Sequence, residues 1–108
     1  MSPLVALDVA YEVISAVRAP LARIAAQDAP LADQLRRAAQ SVALNRAEGS
    51  GRAGRDRARF YRTAHGSHLE TRASLRIAAC LGYVAEDEIA AADAVADRLG
   101  ALLWGLTR

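Results

Sequence analysis

The chain has 108 residues, 53% of them hydrophobic and 24% charged, with 14 Arg and no Lys against 12 acids, a formal net charge of +2. That length bounds it to a single domain with a small core, whose stability leans on oligomerisation. The lone cysteine, Cys80, excludes an intramolecular disulfide and a cysteine ligand pair, and in the apolar run Ile77 to Leu81 it reads as a small buried hydrophobe.

Helix formers dominate, Ala alone being about a quarter of the residues, and strand signals are weak. The first expected helix runs from about residue 4 to 18. Leu7, Tyr11, Ile14 and Val17 follow a three-four spacing, and Val5, Val9 and Val13 widen the apolar face. Pro20 is expected to end it, because the residue before proline is pushed out of the α region. Leu21 to Pro30 reads as a connector with at most one helical turn. A second helix is expected over about 31–48, with Pro30 or Leu31 in its first turn and Gly49 just past its end. The third, about 56–81, opens on Asp56 and stops at Gly82; Gly66 inside it suggests close approach of another helix. The fourth, about 86–106, opens on Glu86, Asp87 and Glu88, favourable at the positive end of the helix dipole. Ile89, Ala92, Ala96, Leu99, Leu103 and Leu106 give it the cleanest amphipathic pattern. An all-α, antiparallel up-down four-helix bundle over residues 1–108 follows.

Arginine is concentrated in the middle of the chain. Between Arg36 and Arg76 there are ten Arg (36, 37, 46, 52, 55, 57, 59, 62, 72 and 76) and three acids, a balance of +7; the remainder carries −5. Such polarisation speaks of partners rather than of fold. Arg52, Arg55, Arg57, Arg59 and Arg62 crowd the loop Gly49 to Gly54 and the start of the third helix, where a phosphate would meet the positive dipole end. A solvated basic face, a nucleic-acid backbone contact and an acidic protein partner are the three readings of this cluster. Arg36, Arg37 and Arg46 are weaker candidates for phosphate.

Polar stripes run along the two central helices. Arg37, Ser41, Asn45 and Glu48 share one face of the second; Thr63, Ser67, Glu70 and Ser74 share one face of the third. With Arg36, these stripes suggest a half-buried structural network in which Arg36 or Arg37 satisfies Glu48 or Glu70. Solvated faces and an acid/base pair are the alternatives. His65 and His68 lie at i and i+3, but no third ligand is placed beside them, and no metal or cofactor is expected. Ser41, Ser67 and Ser74 lack a nucleophile-elbow setting, and the glycine-rich loop lacks the Lys and Ser/Thr of a phosphate-binding loop. Phe60 and Tyr61 read as core or interface residues. No catalytic residue is assigned. Residues 1–17 carry Asp8 and Glu12 with no basic start, and no uncharged run reaches bilayer length, so a cytoplasmic protein is expected.

Two ordered blocks carry a resemblance. Leu35-Arg36-Arg37-Ala38-Ala39, Ser41-Val42-Ala43-Leu44-Asn45, Ala47-Glu48-Gly49 and Gly51-Arg52 form the first. Arg59-Phe60-Tyr61, Ala64, Gly66-Ser67, Leu69-Glu70 and Leu81-Gly82-Tyr83 form the second. Together they resemble the proteins encoded in intervening sequences of bacterial 23S ribosomal RNA genes, a family that also takes in the accessory variability determinant of diversity-generating retroelements. The resemblance implies a homopentamer of four-helix bundles. In the retroelement branch it implies a basic barrel that engages reverse transcriptase and nucleic acid. Where that family usually has Ile or Val after the Asn, this chain has Arg46. That implies either a solvent-facing position or an altered local interface. The expected function is a non-enzymatic oligomer whose Arg-rich surface binds nucleic acid or a ribonucleoprotein. The alternative is a structural or protein-interaction module whose Arg and Glu residues build the bundle core or subunit interface.

Overall fold

The computed structural model describes the backbone of residues 3–107 and the side chains of residues 5–104. Five helices and no strand occur among them: α1 (Pro3–Ala16), α2 (Arg18–Ala25), α3 (Ala29–Ser50), α4 (Gly54–Cys80) and α5 (Glu86–Thr107). They pack into an elongated body of 43 × 22 × 19 Å. The α3–α4 pair shares the most extensive contact, while α1 lies against both α3 and α5.

The expected connector is α2. Pro20 does not end the helical course; it occupies the third position of a new helix, where a missing N–H leaves no intrahelical bond unmade. Hydrogen bonds run across the junction, Val17 N–H to Val13 O at 2.9 Å and Leu21 N–H to Val17 O at 2.8 Å. Proline therefore kinks a nearly continuous helical course, and fully buried Ile24 anchors the part beyond the kink.

Asp28 caps α3, its Oδ1 accepting from Leu31 N–H at 3.0 Å, so the helix opens two residues earlier than expected. It also runs on past Gly49 to Ser50. Gly49 is not a terminator. It is buried within the helix, and a Cβ there would lie 2.6 Å from Tyr61 Cε1 and 2.7 Å from Cδ1, so glycine lets the Tyr61 ring lie on the α3 backbone. The α4 terminus matches the expectation. Gly82 has φ +78°, Tyr83 N–H bonds Ala78 O at 2.9 Å, and Gly82 N–H bonds Ala79 O at 3.0 Å, a Schellman closure.

The core takes one face from each long helix. On α5 it is Ile89, Ala92, Ala96, Leu99 and Leu103; the side chain of Leu106 lies outside the described residues. On α1 the buried line is Ala6, Val9, Ala10, Val13, with Val17 just beyond it, so the expected face is rotated: Leu7 and Ile14 sit at its edge and Tyr11 is exposed. On α4 the buried line is Tyr61, Ala64, His68, Thr71, Leu75 and Ala78. Cys80 falls off that line and is exposed, contrary to its expected burial. Gly66 is exposed too, and a Cβ there would meet nothing within 4 Å, so no helix of the same chain approaches it.

The two mid-helix glycines therefore carry opposite expectations. Gly66→Ala should stabilise the chain by about 1 kcal/mol, the ordinary helix-interior difference. Gly49→Ala should destabilise it by roughly 1–3 kcal/mol through overpacking against Tyr61. Urea denaturation of both variants checks the pair; equal shifts of the same sign would contradict the packing described.

Candidate nucleic-acid interface

The α3–α4 corner brings the five candidate arginines together, but it leaves them in different states. Gly54 turns the chain at φ +59° and starts α4. Arg52 is held on both sides, by Glu48 at 2.9 Å and by Asp56 at 3.0 Å. The hydrogen bond to Glu48, followed by the charges of Asp56 and Glu48, raises the Arg52 pKa above its ordinary value. Asp56 also takes Arg59 at 3.1 Å. The Arg52 and Arg59 guanidinium groups lie 5.3 and 4.4 Å from the Phe60 ring centroid, so Phe60 is half-covered by cations rather than packed in the core. Arg57 Nε donates to Gly49 O at 3.3 Å.

Arg55 and Arg62 are exposed and hold no side-chain partner among the described residues. They are seven apart on α4, with Arg59 between them at the fourth position, so the three share one face. The carboxylates that hold Arg52 and Arg59 are themselves exposed. Surface pairs of this kind are worth about 0–1 kcal/mol.

The polar stripes meet differently from the expectation. Ser41 Oγ and Ser67 Oγ are 2.8 Å apart, joining α3 to α4. Asn45 Nδ2 donates back to Ser41 O at 2.8 Å and to its Oγ at 3.0 Å. Farther along, Gln34 Nε2 donates to Glu70 Oε2 at 3.0 Å. Neither Arg36 nor Arg37 pairs with Glu48 or Glu70. Asp33, one turn earlier on the same helix, takes Arg36 at 2.7 Å and Arg37 at 3.6 Å. The hydrogen bond from Arg36 comes first among the causes that hold the Asp33 carboxyl below its ordinary range. Glu48 is used by Arg52 near the turn, so the two glutamates serve separate ends of the seam and form no acid/base pair.

Of the four polar side chains buried among the described residues, Arg46, His68, Thr71 and Ser74, the first two carry ionisable groups. Arg46 is 1% exposed, with its Cζ 3.5 Å from the Tyr61 ring centroid. It does not face solvent and cannot reach an external phosphate from there. Its three guanidinium nitrogens and the Tyr61 hydroxyl are buried without a hydrogen-bond partner. Burial lowers the Arg46 pKa from its ordinary value. The signal was present in the spacing, since Leu35, Ala39, Val42, Arg46 and Gly49 continue one line.

His68 is 2% exposed and packs against Gly100, where a Cβ would lie 2.9 Å from its Nε2. Its ring centroid is 6.4 Å from that of His65, which in turn lies 6.5 Å from Trp104. Burial, with the positive charges of Arg72 and His65, pushes the His68 pKa down to about 4. Among the described residues no three of His, Cys, Asp and Glu converge on a common point. No described helix is long and apolar enough to cross a membrane.

A family model described as 23S rRNA-intervening sequence protein matches residues 6–105. No curated protein matches. A crystal structure from Bacteroides thetaiotaomicron, described as a protein with unknown function from the S23 ribosomal protein family, is similar in fold. Its TM-score is 0.85 at 15% identity, over 95% of this chain and 98% of that one.

Because His68 binds a proton less readily when folded, its contribution to stability is complete above its ordinary pKa of 6.5 and is lost as pH falls toward about 4. Chemical denaturation across that window should show stability falling with acidity. His68→Gln should flatten the fall; an unchanged slope would locate the acid sensitivity elsewhere.

Proposed function

Since the chain belongs to the 23S rRNA-intervening sequence protein family, we propose that it is a non-enzymatic, oligomeric helical bundle that binds a nucleic-acid backbone through the first turns of α4. In this reading α1 and α2 act as one kinked member of an antiparallel, up-down four-helix bundle that forms the single domain. The assembly is a cytoplasmic homo-oligomer, a pentamer by the resemblance. The observation that carries the reading is the pair Arg55 and Arg62, exposed and unpartnered on one helical face with Arg59 between them. Phosphates spaced along a nucleic-acid strand match such a row of cations, and Arg is well suited to bind them through its planar fork.

The division of labour among the arginines follows from their partners. Arg55 and Arg62 meet phosphate first. Arg52 and Arg59 exchange exposed carboxylates for it. Arg57, tied to the Gly49 carbonyl, mainly holds the turn. Arg36 and Arg37, spent on Asp33, contribute little. Whether the nucleic acid is RNA or DNA, and whether a reverse transcriptase shares the surface, belongs to the branch of the family rather than to this corner.

A second reading, a protein-interaction module without nucleic-acid binding, is favoured by one specific observation. Leu69 and Ile77 on α4 and Leu81, which caps its C-terminus, are exposed at 55%, 46% and 56%. With Gly66 and Ala73 they form an apolar stripe that a partner subunit would cover.

Fluorescence anisotropy with a short single-stranded RNA and with duplex DNA tests the first reading. Binding should weaken steeply with salt. Arg55→Ala/Arg62→Ala should lower affinity at low salt and reduce the salt slope by roughly one unit per arginine. Arg57→Ala should have the smaller effect. Absence of binding to either probe at low salt, in a protein that light scattering shows to be oligomeric, would leave the interaction-module reading standing.

A further inference from the structure

The seam between α3 and α4 opens outward into a groove of about 420 Å³, lined by Gln34, Arg37, Ala38, Ser41, Ser67 and Glu70. All but Ala38 are polar, and among them are one cation and one anion. The hydrogen bonds that cross the seam, Gln34 to Glu70 at 3.0 Å and Ser41 to Ser67 at 2.8 Å, fix its register. One helical turn from the serine pair, in the same direction, that register sets Arg37 on α3 and Glu70 on α4. Opposite charges so placed are expected to close on each other, and they do not. Arg37 leans back on Asp33 through Nη1 alone, at 3.6 Å, and its side chain is 73% exposed. Its Nε and Nη2 have no acceptor among the described residues. Glu70 accepts from Gln34 on Oε2, and no described residue donates to its Oε1.

The serines add a third open group. Two hydroxyls carry two hydrogens, and their mutual bond uses one. Asn45 donates to Ser41 and so does not take up the other. One O–H is left to give within the groove. These groups define their ligand. A simple anion meets Arg37 but is repelled by Glu70, and a simple cation meets the reverse. A sugar or a nucleobase finds no aromatic ring among the lining residues to stack on. A small molecule with both a carboxylate and an ammonium answers each group. Its carboxylate takes the planar N–H fork of Arg37 and the free serine O–H, while its ammonium donates to Glu70 Oε1 and to the Gln34 carbonyl.

We infer that the α3–α4 groove is a binding site for a small zwitterion of the amino-acid class, held with its carboxylate at Arg37 and its ammonium at Glu70. Its charge pairs are exposed, so the affinity is modest and occupancy follows the free concentration of the ligand. The site shares no residue with the row from Arg55 to Arg62, so it stands or falls independently of nucleic-acid binding.

The test follows the amide resonances of the full chain in titrations with L-alanine and, separately, with γ-aminobutyrate, whose charges lie farther apart. Ionic strength is held constant. Acetate and ethylammonium, each carrying one of the two charges, are the controls. The expected result is a saturable shift centred on Arg37, Ser41, Ser67 and Glu70 with a zwitterion, and binding roughly fivefold weaker with either half, the loss of one exposed charge pair. The more effective zwitterion identifies the charge spacing, that of an α- or of an ω-amino acid. Arg37→Gln removes the cation, and Glu70→Gln removes the anion while keeping an acceptor for Gln34. Each should weaken binding by about fivefold. Arg55→Ala/Arg62→Ala should bind as the unmodified chain does. Absence of any saturable shift overturns the inference. Equal affinity for acetate or ethylammonium alone reduces the groove to a charged surface and overturns it too. Should Glu70→Gln change the mass found by light scattering while no zwitterion binds, the groove is a contact between subunits and the inference falls.

Discussion

The close approach of α3 to α4 governs the rest of the structure. Small residues line the seam where the two helices are seen to meet: Ala38, Ser41 and Gly49 on α3, with Ser67 on α4. The polar groups within that seam are small as well, and Ser41 with Ser67 is joined by a single mutual hydrogen bond rather than by a charge pair. Gly49 carries the same rule to the end of the seam, where an aromatic ring replaces a second methyl. Everything attached to the pair inherits its register. The register sets Gln34 opposite Glu70, Ser41 opposite Ser67, and Arg46 opposite Tyr61.

That register also explains why the arginines of one short segment have such different fates. Arg46 lies on the line that faces α4 and is carried inside. Arg52 lies in the turn, within reach of acids on both helices. Arg55 and Arg62 project from the outer side of α4, where no acid of the described residues lies opposite. Charge counted along the sequence treats these residues alike. Geometry divides them into a buried cation, a set of internal staples and a pair open to solvent. The basic character of the corner thus rests on fewer groups than the composition suggests.

Much of the fold was legible from spacing. Caps and stops at Gly82 and Glu86, the α5 stripe and the positions of the long helices follow from local rules that the chain obeys. The misreadings at Pro20 and Gly49 share one physical cause: a local signal was overruled by a tertiary contact. Pro20 breaks a helix in isolation, yet buried Ile24 gives the chain a reason to resume one. Gly49 ends helices in isolation, yet Tyr61 needs its missing side chain. The burial of Arg46 and His68 was legible in their helical spacing, but their partners were not. Stacking on a ring and packing against Gly100 depend on where another helix passes, and no residue in the neighbourhood announces it. Arg36 and Arg37 were matched across helices when a carboxylate one turn away was available.

The far end of the bundle is built in another way. Tyr83, just past the closure of α4, donates its hydroxyl to Asp28 at 3.0 Å, and its carbonyl accepts from Gln27 at 2.9 Å. The hydrogen bond to Asp28 comes first among the causes that raise the Tyr83 pKa, and the same carboxylate caps α3. Two turns distant in sequence are thereby laced into one knot, while the α3–α4 turn relies on exposed ion pairs and the bond from Arg57 to Gly49. The molecule has a stiff pole and a yielding pole, roughly the length of α3 apart. Local opening costs least where chiefly exposed ion pairs hold the backbone, so fraying and proteolytic nicking are expected at the yielding pole before the laced one.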